Sequence, residues 1–178
     1  EQRMIRETAR AFAADRITPF AAEWAENAAF PPDLFAEMGK LGLMGMTVPE
    51  EWGGAGTDYI AYAMALEEIS YGDGAVGIVM SWHNSVGCMP VLEFGTDEQK
   101  RTWLPGMARG EIMSCFALTE PGGGSDAGAL KTRAVRDGDG YVLNGAKAFI
   151  TSGSIAQVAL ILASTDPVAG KRGISCFL

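Results

Sequence analysis

The sequence SCFALTEPGGGSD, residues 114–126, decides the fold of the second half of the chain. Its first five residues, Ser114–Leu118, predict a buried strand, and Pro121 prevents that strand from continuing. The three glycines Gly122–Gly124 then form a turn without Cβ atoms, which can adopt right-handed and left-handed conformations. Such a turn can direct successive backbone N–H groups, together with the Ser125 hydroxyl, toward one anion. The segment therefore predicts a strand followed by a loop that binds phosphate.

The loop alone leaves two other interpretations open. Residues 122–127, GGGSDA, satisfy the relaxed G-x-G-x-x-G/A dinucleotide pattern, but that pattern requires a helix directly after the loop. The residues Lys131–Arg136 alternate like a strand instead, and Asp137–Gly140 has the composition of a hairpin turn. These observations disfavour a nicotinamide site, whereas a purely structural turn remains possible.

A second segment, Tyr141–Gly153, changes the interpretation. It contains an Asn144-Gly145 pair, which predicts a turn between apolar stretches, and then Phe149-Ile150-Thr151 before another glycine. The two segments resemble the flavin-binding segments of the acyl-CoA dehydrogenases, which follow the patterns T-E-P-G-x-G-S-D and N-G-x-K-x-W-I-T-N-G. Three further stretches resemble N-terminal landmarks of that family: Leu41–Gly45, Pro49–Gly54 and Phe94–Lys100.

The resemblance implies an α+β fold. An N-terminal all-α domain is expected over residues 1–110, and a middle β domain, barrel-like or sandwich-like, over residues 111–178. The family's C-terminal helical bundle has no counterpart in the sequence, and the chain stops at an apolar strand, Gly173–Leu178. Because the edge and side chains of such a strand need partners, we expect this chain to be part of a longer protein.

The resemblance also implies a function: FAD-dependent dehydrogenation of an acyl-CoA to the 2,3-enoyl-CoA, with electrons passed to an electron-transfer flavoprotein. The motifs are closest to short-chain and branched-chain members, such as isobutyryl-CoA dehydrogenase. A homotetramer or dimer in the cytoplasm, or in the mitochondrial matrix of a eukaryote, is expected. Three alternatives stay open: an acyl-CoA oxidase, a flavin monooxygenase, or a non-catalytic binding protein.

Site residues follow from the resemblance position by position. The bundle supplies the carboxylate base in most members, so no catalytic residue is expected in this chain. Ser125 is also expected near the acyl-CoA. Phe149 and Ser152 depart from the Trp and Asn that many members carry there. The residues expected to bind FAD are Phe116, Leu118, Thr119, Gly124, Ser125, Phe149, Ile150 and Thr151.

Composition restricts the partners. The chain has 178 residues, 48% of them hydrophobic, which suffices for a sizeable core, and its net charge of −8 disfavours nucleic acid and anionic membranes. No apolar run of about 18 residues is evident, and residues 1–7 do not resemble a signal peptide, so we expect no membrane span. Cys88, Cys115 and Cys176 lack metal-ligand spacing, and they are expected to be buried and reduced, without a metal site.

The N-terminal half has helical periodicity. Predicted helices include Asp33–Lys40, one capped by Thr57 or Asp58, and a long apolar helix over Ala75–Phe94 with a kink or break at Pro90. A capping box of Thr96 and Gln99 begins another. Several residues are expected to have structural roles only. His83, Met44, Met46, Met80 and Met89 are expected to pack in the core, and Glu67 and Glu68 to lie on a solvated helix face. Glu120 is expected to fix the conformation of its loop.

Overall fold

The computed structural model describes residues 1–29 and 31–178, which form two compact units, Glu1–Met113 and Ser114–Leu178. The first unit is helical and the second is built on a five-stranded sheet, which confirms the predicted fold class. The helices are α1 (Gln2–Arg16), α2 (Ala21–Asn27), α3 (Pro32–Lys40), α4 (Tyr59–Gly72), α5 (Gly74–Trp82), a π-helical turn (His83–Cys88), α6 (Met89–Phe94) and α7 (Asp97–Ala108). The strands are β1 (Ser114–Ala117), β2 (Arg133–Asp137), β3 (Gly140–Asn144), β4 (Val158–Ser164) and β5 (Ile174–Phe177).

The helix starts follow local capping chemistry. The Asp58 carboxylate accepts a hydrogen bond from the Ala61 N–H at 2.8 Å, and Thr96 with Gln99 forms the predicted capping box of α7. Helix α2 was not predicted, because no side chain caps its start. Helix α7 continues past Pro105, three residues before its end.

Methionine fills much of the helical core. Met38, Met44 and Met80 are completely buried beside Phe35 and Ile69, which confirms the packing role of Met44 and Met80. An unbranched thioether side chain adapts to irregular gaps between helices, so a core rich in methionine is easily filled.

The segment Gly74–Phe94 is one continuous helical segment of 21 residues. It contains a π-helical turn, and Pro90 lies in the first turn of α6, so the expected break at Pro90 is replaced by a change of helix type. The expectation that no apolar stretch reaches membrane-spanning length is wrong for this segment. Half of it is buried inside the helical unit, which is typical of a core helix.

The π-helical turn contains two buried polar residues. Asn84 accepts a hydrogen bond from the Met46 N–H at 2.8 Å and donates to the Leu43 carbonyl at 2.9 Å, so it fixes the loop after α3. His83 lies 2.9 Å from the Met107 carbonyl through Nε2, and burial lowers its pKa. The packing role predicted for His83 is confirmed.

The assignment of Glu68 to a solvated helix face is wrong. Its side chain is buried, and its carboxylate accepts hydrogen bonds from Arg6 Nε at 2.6 Å and from Arg10 Nε at 2.9 Å. These bonds, first from Arg10 and then from Arg6, outweigh burial and lower the pKa of Glu68 to about 2. Glu67 is exposed, as expected.

Replacing Glu68 with glutamine should make the helical unit less stable near pH 7, by about 1–2 kcal/mol. A carboxylate with a depressed pKa stabilises the fold above its ordinary pKa near 4, and this contribution disappears as the pH falls from about 5 to about 2. Urea unfolding between pH 7 and pH 3 should therefore show a smaller acid loss for Glu68→Gln than for the wild type. Glu67→Gln is the matched control and should follow the wild-type profile; identical profiles for all three proteins would contradict the assignment.

The sheet of the second unit is mixed, with strand order β1-β4-β2-β3 and β5 paired to β4. Strand β4 pairs with β1 in parallel, with Phe116 opposite Leu160, and with β5 in an antiparallel arrangement. It is central, as its apolar sequence indicates. Strands β1 and β4 thus provide the rigid base from which the loop after Ala117 leaves the sheet.

Two details of this unit differ from expectation. The turn expected at Asn144-Gly145 is not formed, since β3 runs to Asn144 and no turn follows directly, whereas the hairpin turn predicted at Asp137–Gly140 is confirmed by the pairing of β2 with β3 through Gly138, where φ is +57°. Cys176 is exposed, whereas Cys88 and Cys115 are buried as expected. The thiol of Cys176 lies on β5, whose side chains are only partly covered.

Candidate functional site

The glycine-rich loop leaves the end of β1 and folds back on itself. Glu120 and Gly123 exchange two backbone hydrogen bonds, of 2.9 and 3.1 Å, which close a tight turn around Pro121. None of the three glycines has a positive φ, so the left-handed conformation that glycine permits is not used at these positions. Gly123 uses both of its backbone polar groups within the loop, and it is not available to a ligand.

The space around the three glycines differs. A Cβ atom built at Gly122 or Gly123 would meet nothing within 4 Å, whereas one at Gly124 would lie 3.1 Å from Thr119 Cγ2. Within the described part of the chain, the N–H groups of Gly124 and Ser125 donate to no acceptor. The loop therefore offers two adjacent donors next to the Thr119 side chain, which is the arrangement that an anion requires.

The second predicted segment contains a strained residue. Phe149 has φ of +56°, in the left-handed region that non-glycine residues rarely occupy, and its ring is 94% exposed. Such a conformation costs about 1–3 kcal/mol, and it persists where neighbouring contacts hold it. Ile150 and Thr151 follow, both partly exposed, and the Ile150 carbonyl accepts the Gly153 N–H at 3.0 Å.

The two segments are joined directly. The Ala148 N–H donates to the Thr119 carbonyl at 2.9 Å, and Lys147 Nζ donates to the Leu118 carbonyl at 3.0 Å. The structure therefore brings Leu118, Thr119 and Gly124 together with the residues just before Phe149. Ser125, Ile150 and Thr151 lie on the same two segments but show no direct bond to these residues, and Phe116 lies within β1.

Glu120 is the most enclosed charged group of this unit. Its side chain is 8% exposed, and its carboxylate accepts hydrogen bonds from the Thr132 hydroxyl at 2.6 Å, the Lys131 N–H at 2.6 Å and the Thr132 N–H at 2.9 Å. Lys147 Nζ donates a fourth hydrogen bond, to Glu120 Oε1 at 2.9 Å. Burial acts to raise the pKa of Glu120, but these hydrogen bonds lower it to about 2. The loop-fixing role predicted for Glu120 is confirmed.

Lys147 and Thr132 were missed as site residues. Lys147 is 13% exposed through its side chain, and Thr132 is 4% exposed. A lysine within the otherwise uncharged stretch from Tyr141 to Gly153 is a signal for a buried ion pair, since a lysine is rarely buried without a partner. No comparable signal marks Thr132. No group of histidine, cysteine and acidic side chains suited to a metal ion occurs among the described residues.

Family models match both units of the chain. The N-terminal domain of acyl-CoA dehydrogenases matches residues 1–111, and the middle domain of the same family matches residues 115–178. The two matched ranges together include almost every residue of the chain. The two flavin segments lie within the part that matches the middle domain.

Individual proteins give the same result. The chain is 49% identical over 175 residues to the human mitochondrial short-chain specific acyl-CoA dehydrogenase, covering 98% of the chain and 42% of that protein. It is 47% identical over 178 residues to a Bacillus subtilis acyl-CoA dehydrogenase, covering 100% and 47%. A solved glutaryl-CoA dehydrogenase from Mycobacterium smegmatis, in complex with FADH2, has a TM-score of 0.93 and 39% identity, covering 99% of the chain and 44% of the solved one.

The chain spans about half the length of the curated relatives it matches. The matched half contains both units of the fold, the glycine-rich loop and the segment around Phe149. Two adjacent family models in the family's own order, and relatives near half identity over nearly every residue, lead to one assignment. The chain belongs to the acyl-CoA dehydrogenase family.

Proposed function

We propose that this chain forms the flavin-binding half of an FAD-dependent acyl-CoA dehydrogenase that converts a short-chain or branched-chain acyl-CoA to its 2,3-enoyl-CoA. The observation that carries the proposal is the direct bond between the two flavin segments, from the Ala148 N–H to the Thr119 carbonyl. A direct hydrogen bond between the two segments supports one shared binding site rather than two separate structural turns.

The residues fit FAD. The unpaired N–H groups of Gly124 and Ser125 suit the pyrophosphate, and the open space at Gly122 allows it to approach the backbone. Phe116, Leu118 and Thr119 would border the edge of the flavin ring. The ring of Phe149 is exposed and its backbone strained, as expected for a residue that covers a bound ring.

Each residue then has a defined task. When bound, FAD supplies the acceptor for the hydride that leaves Cβ of the substrate. Phe149, Ile150 and Thr151 would hold the flavin ring, and the Thr151 hydroxyl would be available to it as a hydrogen-bond donor. Ser125 would contact both the pyrophosphate and the acyl-CoA. The base that takes the Cα proton comes from outside residues 1–178, as the family resemblance implies.

The relatives support a proposal for the acyl group and the partners. The human relative is named short-chain specific, and the stretches Lys147–Thr151 and Arg172–Cys176 resemble short-chain and branched-chain members. A chain of about four to six carbons is therefore the proposed substrate. An electron-transfer flavoprotein would accept the electrons, the enzyme would be a tetramer or dimer, and it would work in the cytoplasm or the mitochondrial matrix.

The gene product that contains this chain, with any sequence that follows Leu178, should purify yellow. Anaerobic addition of butyryl-CoA or isobutyryl-CoA should bleach its absorbance near 450 nm, and palmitoyl-CoA should bleach it far more slowly. Mixing with an electron-transfer flavoprotein should restore the colour. Lack of bleaching by any acyl-CoA would contradict the proposal, and rapid recovery in air with release of peroxide would indicate an oxidase.

A further inference from the structure

A buried ion pair connects three parts of the second unit that are distant in sequence. Lys147 Nζ lies 2.9 Å from Glu120 Oε1, with side-chain exposures of 13% and 8%. Glu120 also binds the backbone at Lys131 and Thr132, at the start of β2. The glycine-rich loop, the start of β2 and the stretch before Phe149 are therefore tied to one carboxylate.

The ion pair lies next to two of the proposed flavin contacts, Leu118 and Thr119. Lys147 also donates to the Leu118 carbonyl at 3.0 Å, and its neighbour Ala148 donates to the Thr119 carbonyl at 2.9 Å. Phe149, held at a positive φ, is two residues along the chain from Lys147. A strained backbone conformation persists only where neighbouring contacts hold it. The hydrogen bonds of Lys147 and Ala148, the two residues before Phe149, are contacts of this kind.

Close packing leaves little freedom for this arrangement to shift. A Cβ atom at Gly145 would collide with the Thr132 hydroxyl and would lie 2.7 Å from Thr132 Cα. The backbone just before Lys147 thus lies directly against the residue that donates the 2.6 Å hydrogen bond to Glu120. The geometry has the features of a supporting layer that fixes ligand-contacting residues through hydrogen bonds and packing.

We infer that the Glu120–Lys147 ion pair is a positioning device that sets Leu118 and Thr119 in register with Phe149–Thr151, and so determines the affinity and the redox properties of the bound flavin. This role rests on the proposed function. It goes beyond the loop fixing by Glu120, because it gives two residues outside the proposed flavin contacts an effect on the bound flavin.

A double-mutant comparison separates positioning from simple folding. Glu120→Gln leaves the Lys147 ammonium buried without its partner charge, so this variant should lose both stability and flavin affinity. Glu120→Gln combined with Lys147→Met removes both charges, so folding should largely recover. The side-chain connection through Lys147 is lost in the double variant, and its FAD dissociation constant should remain about 10- to 100-fold above that of the wild type.

The full-length protein is tested with three measurements: the dissociation constant for FAD, the reduction potential of the bound flavin, and hydrogen exchange of the Ala148 N–H in flavin-free protein. We expect the double variant to melt near the wild-type temperature and to bind FAD weakly with a shifted reduction potential. Hydrogen exchange of its Ala148 N–H should be about tenfold faster than in the wild type, whereas exchange of the β4 amides should stay unchanged. Glu111→Gln, which breaks the exposed 2.8 Å pair with Arg109, is the matched control and should change none of these quantities.

The outcomes distinguish the two proposals. If the wild type binds FAD and the double variant matches it in affinity, potential and Ala148 exchange, the positioning role is overturned while the proposed function stands. If the wild-type protein binds no flavin at all, both proposals are overturned. Weakened binding with unchanged melting, together with a normal Glu111→Gln control, supports the positioning role.

Discussion

Replacing Gly39 with alanine should lower the stability of the helical unit by about 3 kcal/mol or more. A Cβ atom at Gly39 would collide with the Arg109 carbonyl and would lie 2.7 Å from the Gly110 nitrogen. Both obstacles are main-chain atoms at the end of α7, so no side-chain rotation relieves the overlap. Thermal unfolding followed by circular dichroism should show a fall of about 10 °C or more.

Gly74→Ala is the matched control for this substitution. Gly74 is the first residue of α5, and a Cβ atom there would meet nothing within 4 Å. Alanine restricts the unfolded chain more than glycine does, so this variant should equal the wild type or exceed it by up to about 1 kcal/mol. Equal melting temperatures for the two variants would show that α3 does not pack against the end of α7 as described.

The second large effect concerns flavin binding. Gly124→Val should raise the FAD dissociation constant of the full-length protein about 100-fold, equivalent to about 2.7 kcal/mol. The new side chain would begin 3.1 Å from Thr119 Cγ2 and 3.3 Å from Thr119 Oγ1, so it would displace Thr119 or occupy the space beside the free N–H groups. Fluorescence titration of flavin-free protein with FAD measures the change.

Gly123→Val provides the control within the same loop. A Cβ atom at Gly123 meets nothing within 4 Å, and this residue occupies the variable position of the T-E-P-G-x-G-S-D pattern. Its backbone groups bond to Glu120, so they take no part in binding the pyrophosphate. FAD affinity should stay within about threefold of the wild type. Equal losses at both positions would contradict the assignment of the pyrophosphate to Gly124 and Ser125.

Local chemistry explains what the sequence could predict. The caps at Asp58 and Thr96 depend on residues three positions away, and both are present in the structure. The order of strands and loops around Ser114–Asp126 was recognisable because glycine and proline punctuate it. The family resemblance rested on the same short motifs, and it did not require any knowledge of long-range contacts.

The errors arose where distant residues decide the outcome. Glu68 looked solvated because its partners Arg6 and Arg10 lie 62 and 58 residues away. Lys147 and Thr132 were missed because the carboxylate that connects them belongs to Glu120, at 27 and 12 residues from each. The Asn144-Gly145 pair predicted a turn, but Asn144 is the last residue of β3 and no turn follows it directly. The outcome at such positions depends on tertiary structure, which local propensity does not contain.

The most direct test of the flavin site is a crystal structure of the full-length protein with FAD bound. We expect the pyrophosphate to accept hydrogen bonds from the Gly124 and Ser125 N–H groups, and the flavin ring to lie between Leu118–Thr119 and Phe149–Thr151. The Glu120–Lys147 pair should remain intact behind both segments, without touching the ring. FAD bound elsewhere, with both segments contacting only protein, would show that these segments are not the flavin site.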